Sequence, residues 1–119
     1  MLAAIFAEAR RVLTGAQDIE IVEQQDTRLV WRTGERETVA DQRLRAVMSN
    51  GRVLARFDAI QSIDIRRMQR GDAPEVWDVS LALGGRSRVR VACSTDATDA
   101  SILAARLSTI TGKKVQAVR

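Results

Sequence analysis

Apolar residues along this chain change their spacing twice. Leu2, Ile5, Phe6, Ala9, Val12 and Leu13 fall three and four apart, one face of a helix, while Glu8, Arg10 and Arg11 lie off it. Gly15 supplies a stop. From Asp18 the spacing drops to two, and DIEIVEQ and TRLVWR read as short strands around a turn near Gln25 and Asp26. Helical spacing returns near the end. Ala100, Leu103, Ala104, Leu107 and Ile110 form a core-facing stripe, with Ser94, Thr95 and Asp96 as candidate N-caps and Gly112 as C-cap. Asp99 and the Lys113-Lys114 pair complement the two ends of the helix dipole. A helix is predicted over 96–111, and the tail VQAV can add a short strand.

Between these segments the register of paired strands can be tested by what it buries. The segment ERETVADQRLRAVM can also be written as a helix ending at Asn50-Gly51. As a hairpin about Asn50-Gly51, it pairs Met48 with Val53, Ala46 with Ala55 and Leu44 with Phe57, all apolar, which favours strands. Its other face sets Arg45 opposite Arg56 and Ser49 opposite Arg52. Like charges so placed call for a carboxylate, such as Glu35 or Glu37, or for a bound anion. Past Phe57 the alternation breaks, because Ile60 and Ile63 are three apart before Ile65 resumes it; a bend or one helical turn over 58–61 restores the phase. In EVWDVSLALGGRSRVRVAC a three-residue Gly84-Gly85-Arg86 loop pairs Leu81 with Val89, Val79 with Val91 and Trp77 with Cys93. Arg88 and Arg90 then point outward, where Asp78 partly compensates Arg90.

Composition narrows the class. At 119 residues, 45% hydrophobic and 29% charged, the chain is sized for one folded domain. The expected division is an N-terminal amphipathic helix, 1–15, and a sheet domain, 18–119. The lone Cys93 has no partner for an internal disulfide, and no apolar run approaches the ~20 residues of a membrane span. The N-terminus lacks a leading positive charge, and Glu8 and Arg10 interrupt its apolar run, unlike a secretory signal; a cytoplasmic location is expected. The net charge is +4, with eight acids against five arginines in 1–41 and seven acids against fourteen bases in 42–119. A basic second part favours anionic partners.

Catalytic chemistry finds little to work with. The chain has neither histidine nor tyrosine, which removes histidine acid–base catalysis, the Ser-His-Asp arrangement and the common zinc sites. No metal site and no cofactor is expected. Thr111-Gly-Lys-Lys114 lacks the upstream glycine of a phosphate loop and ends a helix where such a loop begins one. Asp58 and Asp64 read as solvated residues flanking the bend. Cys93 is expected on the buried face beside Trp77, as inert packing. Trp31 belongs to the core or faces a ligand. With two Trp and two Phe, and Phe57 and Trp77 assigned to the core, a nucleic-acid stacking platform is lacking.

The order of elements resembles the bacterial pleckstrin-homology-like domains. The resemblance rests on RFDAIQSIDI (56–65), VWDVSLALGGRSRVRV (76–91) and TDATDASILAARLSTITGKKV (95–115). It implies an α+β fold, a curved antiparallel sheet or partly open barrel capped by the C-terminal helix. It carries no phosphoinositide-binding motif, since the basic early loop of such members is missing here. The expected function is a non-enzymatic interaction module working through a protein partner or self-association. Leu2, Ile5, Phe6, Ala9, Val12 and Leu13 are its candidate helix interface, docked on the chain's own sheet or on a second copy. The alternative is peripheral binding to an anionic membrane surface through that helix and Arg43, Arg45, Arg52 and Arg56.

Overall fold

A computed structural model describes residues 17–118, so the expected N-terminal helix and its apolar stripe lie outside the described residues. The fold is α+β. Five strands, β1 (Ile19–Gln24), β2 (Arg28–Thr33), β3 (Arg36–Asp41), β4 (Ala46–Ser49) and β5 (Arg52–Arg56), form an antiparallel meander in chain order. A 3-10 turn at Phe57–Ala59 leads to β6 (Ser62–Met68), which pairs with β7 (Val76–Gly84) and through it with β8 (Ser87–Ser94). Helix α1 (Ala97–Thr111) follows, and β9 (Val115–Val118) then pairs parallel with β6, so the second sheet runs β8-β7-β6-β9. The expected single curved sheet is therefore two sheets of five and four strands, and neither closes into a barrel. The break comes at the predicted stumble. The 3-10 turn consumes the out-of-phase residues, buries Phe57 and Ile60, and starts β6 on a new sheet.

The core lies between the sheets and under the helix. Leu29, Trp31 and Val47 from the first sheet meet Ile63, Val79 and Leu81 from the second, and Leu103 and Leu107 close the gap from α1. Each such side chain contributes roughly 1.5–3 kcal/mol by leaving water. Trp31 is fully buried, and its indole N–H donates to the Val91 carbonyl at 3.2 Å, so it is a core residue that also bridges β2 and β8. The helix begins and ends as its sequence asks. Asp96 accepts from the amides of Thr98 and Asp99 at 2.8 and 3.2 Å, and Gly112 terminates it in the left-handed region at φ 74°.

Both tested hairpins keep part of their expected register and lose the rest. In β4–β5, Ser49–Arg52 and Met48–Val53 pair as expected, but a bulge then sets Val47 opposite Ala55 and Ala46 opposite Arg56. Leu44 is thus not opposite Phe57, and Arg45 is not opposite Arg56. The bulge turns both Leu54 and Ala55 toward the core, a gain that strict alternation forbids. In β7–β8 the loop is Gly85-Arg86 and not the expected three residues, because Gly84 pairs with Ser87. An irregularity at Leu83 brings Leu81 opposite Val89 as expected, and another at Val91 pairs Val79 with Ala92 and Trp77 with Ser94. Val91 and Ala92 both enter the core. Cys93 faces the other side with Val76 and Met68, away from its expected neighbour Trp77.

Candidate functional site

The β4–β5 hairpin decides where the four candidate arginines go. Arg43 and Arg45 occupy the turn between β3 and β4, and Arg56 ends β5 beside them, since the Phe57 amide donates to the Arg45 carbonyl at 2.8 Å. Arg52 begins β5 at its opposite end, roughly 13 Å away along the strand. There Arg36 donates from Nε to Oγ of Ser49, the cross-strand neighbour of Arg52, at 3.0 Å. The predicted quartet is therefore a trio and an outlier. All four are exposed, and among the described residues none of them makes an ion pair.

The trio belongs to a larger set. Each strand crosses the molecule, so alternate turns share an end, and a ring of contacts ties the turns of one end together. The Gln42 amide donates to Thr27 between the β1–β2 and β3–β4 turns, and Gln61 donates to Ala82 between the 3-10 turn and the β7–β8 tip. Ile63 donates to Lys114 after the helix, and Arg106, Thr109 and Ile110 share a cleft with Gln24, Gln25 and Asp26. Gathered here, beside the mutually paired Arg28 and Glu23, are Arg43, Arg45, Arg56, Arg86, Arg106, Lys113 and Lys114 against Asp26, Asp41 and Asp58, seven bases to three acids. The turns of the other end and the ends of the elements beside them carry Asp18, Glu35, Asp72, Glu75, Asp96 and Asp99 against Arg36, Arg52, Arg67 and Arg70, six acids to four bases. Charge that looked divided between the two parts of the sequence is divided between the two ends of the molecule.

The β3–β4 turn at the centre of this ring is rigidly built. Asp41 Oδ1 accepts from the amides of Arg43 and Leu44 at 2.8 and 3.3 Å, and Arg45 adopts a left-handed φ of 52°. The turn so formed leaves Leu44 58% exposed between two arginines, although its sequence pattern assigned it to the core.

A second polar constellation was read differently from sequence. Asp64, expected as a solvated flank of the bend, is 3% exposed on the outer face of the second sheet, while Asp58 is exposed as expected. Ser62 donates to Asp64 at 2.6 Å, and Arg88 lies 3.4 Å from its second oxygen. One strand over, Ser80 donates to Asp78 at 3.2 Å, and Arg90 Nε stands 2.8 Å from the other oxygen, off the hydrogen-bond axis. The outward arginines of β8 are thus each neutralised by a buried aspartate, the Asp78–Arg90 partnership having been expected. The signal for Asp64 was its alternation with Ile63 and Ile65, which places it on a sheet face. Cys93 sits beside Asp78, where burial pushes its thiol up, Arg90 lowers it and Asp78 raises it further. That setting suits packing and not nucleophilic attack.

Among the described residues no three Cys, Asp or Glu side chains come together in a way that could hold a metal ion, and no helix is long and apolar enough to cross a membrane. Comparison with protein-family models, with curated proteins and with solved structures finds no match.

Proposed function

We propose that this chain is a non-enzymatic interaction module of pleckstrin-homology-like architecture whose working face is the basic ring of turns and whose partner is anionic. One observation carries this reading: seven bases against three acids on a ring of turns tied together by hydrogen bonds and a shared cleft. A clustered single-sign field raises the local concentration of opposite charge and speeds association. Contact with a protein partner or a second copy, the first expectation from sequence, would draw on an apolar interface centre. Among the described residues the exposed large apolar side chains, Val22, Leu44, Val53, Ile102 and Val115, instead sit on five separate elements. Charge is the stronger feature of the described surface.

Retention on a sulfated-polysaccharide resin tests the reading. Arg43→Glu/Arg45→Glu/Arg56→Glu should elute at markedly lower salt than the parent. Arg52→Glu/Arg67→Glu/Arg70→Glu, with the same net charge, should stay close to it. Equal losses from both triples would mean that net charge alone governs binding, and would sink the assignment of a working face.

A further inference from the structure

The geometry points to an anionic lipid bilayer as the partner of the basic ring, with Leu44 inserted among the headgroups; this rests on the working face just proposed. Leu44 is held outward at 58% exposure by a turn whose amides are taken up by Asp41, so its exposure is imposed by the fold. Arg43 and Arg45 flank it, and Arg56 adjoins. Val115, 41% exposed, directly follows Lys113 and Lys114 on the same ring. Apolar side chains emerging from cationic turns match an interface that is anionic at its surface and hydrocarbon a few ångströms below. A nucleic acid would reward stacking or base-edge contacts and would gain nothing from a protruding leucine. An acidic protein would need an apolar counterpart larger than two isolated side chains.

The charges are spread over separate turns and converge on no single cleft. Recognition should therefore follow surface charge density and ignore headgroup identity. That sets this surface apart from a pocket for one phosphorylated lipid.

The test is co-sedimentation of the full chain with vesicles of phosphatidylcholine alone, or with phosphatidylserine or phosphatidylglycerol at equal anionic fraction. Binding should be equal on the two anionic vesicles and absent on the neutral one. Leu44→Ser should weaken vesicle binding about tenfold while leaving resin retention and melting temperature unchanged, because the side chain is already in water. Arg43→Glu/Arg45→Glu should weaken both vesicle and resin binding by tenfold or more. Unchanged vesicle binding by Leu44→Ser would overturn the insertion, as would any preference for one headgroup. Resin retention without vesicle binding, or tighter binding to duplex DNA or polyglutamate than to vesicles, would overturn the lipid assignment and leave the anionic working face standing.

Discussion

Arg45 shows how much one residue carries here. Its φ of 52° lies where an L side chain is strained by about 1 kcal/mol, yet its charge stands in the basic ring. Arg45→Gly should raise the melting temperature slightly and lower resin retention, two readouts of opposite sign; a drop in both would mean the turn does not hold the described conformation. Cys93 offers a test by pH. Burial holds its thiol above the ordinary value of 9.0, so above that pH the unfolded chain releases a proton the folded chain keeps. Stability measured by urea unfolding should therefore be unaffected by this group below about pH 9 and fall beyond it, and Cys93→Ala should remove that part of the decline. At this scale much of the core was legible: Phe57, Leu103 and Leu107 are buried as their spacing implied, while the burial of Trp31, which the sequence left between core and ligand, is settled by the fold. Leu44 was not, because an apolar side chain reads as core wherever alternation permits it. Only the bulge shows that it has nothing to pair with.

Elements were legible by period, and the tested hairpins' two bulges away from the turns share one cause. Met48, Val47 and Ala46 are all apolar, so β4 offers two acceptable faces and its alternation cannot report a slip. Val91, Ala92 and Cys93 create the same ambiguity in β8. These two bulges sit where the pattern is degenerate, and each adds a core residue. The paired aspartates of the second sheet then follow, since they answer arginines that the β7–β8 register turns outward. Their value is asymmetric. Arg88 is partly exposed and can hydrate when unpaired, whereas Asp64 is buried. Arg88→Met, which keeps the cover but leaves a buried carboxylate held by Ser62 alone, should cost about 2 kcal/mol. Asp64→Asn should cost about 1 kcal/mol, since its freed guanidinium meets water. Chemical denaturation of both variants checks the order, and a larger loss for Asp64→Asn would place the stabilisation in packing.

At the scale of the whole molecule the governing fact is that alternate turns share an end. Net charge per stretch of sequence averages over the two ends, which hid the division that the turns reveal. It becomes legible only once strand order is known, because Arg43 and Lys114 are 71 positions apart in the chain yet belong to one ring. Seven bases so gathered repel one another in the folded state and are farther apart in the unfolded one. Salt screens that repulsion, with a Debye length of about 10 Å at 0.1 M falling to about 3 Å at 1 M. It also weakens the ion pairs Arg28–Glu23, Arg32–Glu20, Arg32–Glu37 and Arg67–Glu75, but these are exposed and individually worth about 0–1 kcal/mol, and the pairs to the buried Asp64 and Asp78 are screened much less. The repulsive term should dominate. Melting temperature should therefore rise with sodium chloride, and Arg43→Gln/Arg45→Gln/Arg56→Gln should start higher at low salt and respond less. Resin retention should move the opposite way, weakest in the variant that is most stable. A triple variant that melts lower at low salt would show that these arginines hold the fold together, and would remove the basis for treating the ring as a surface kept at a cost to stability for the sake of a partner.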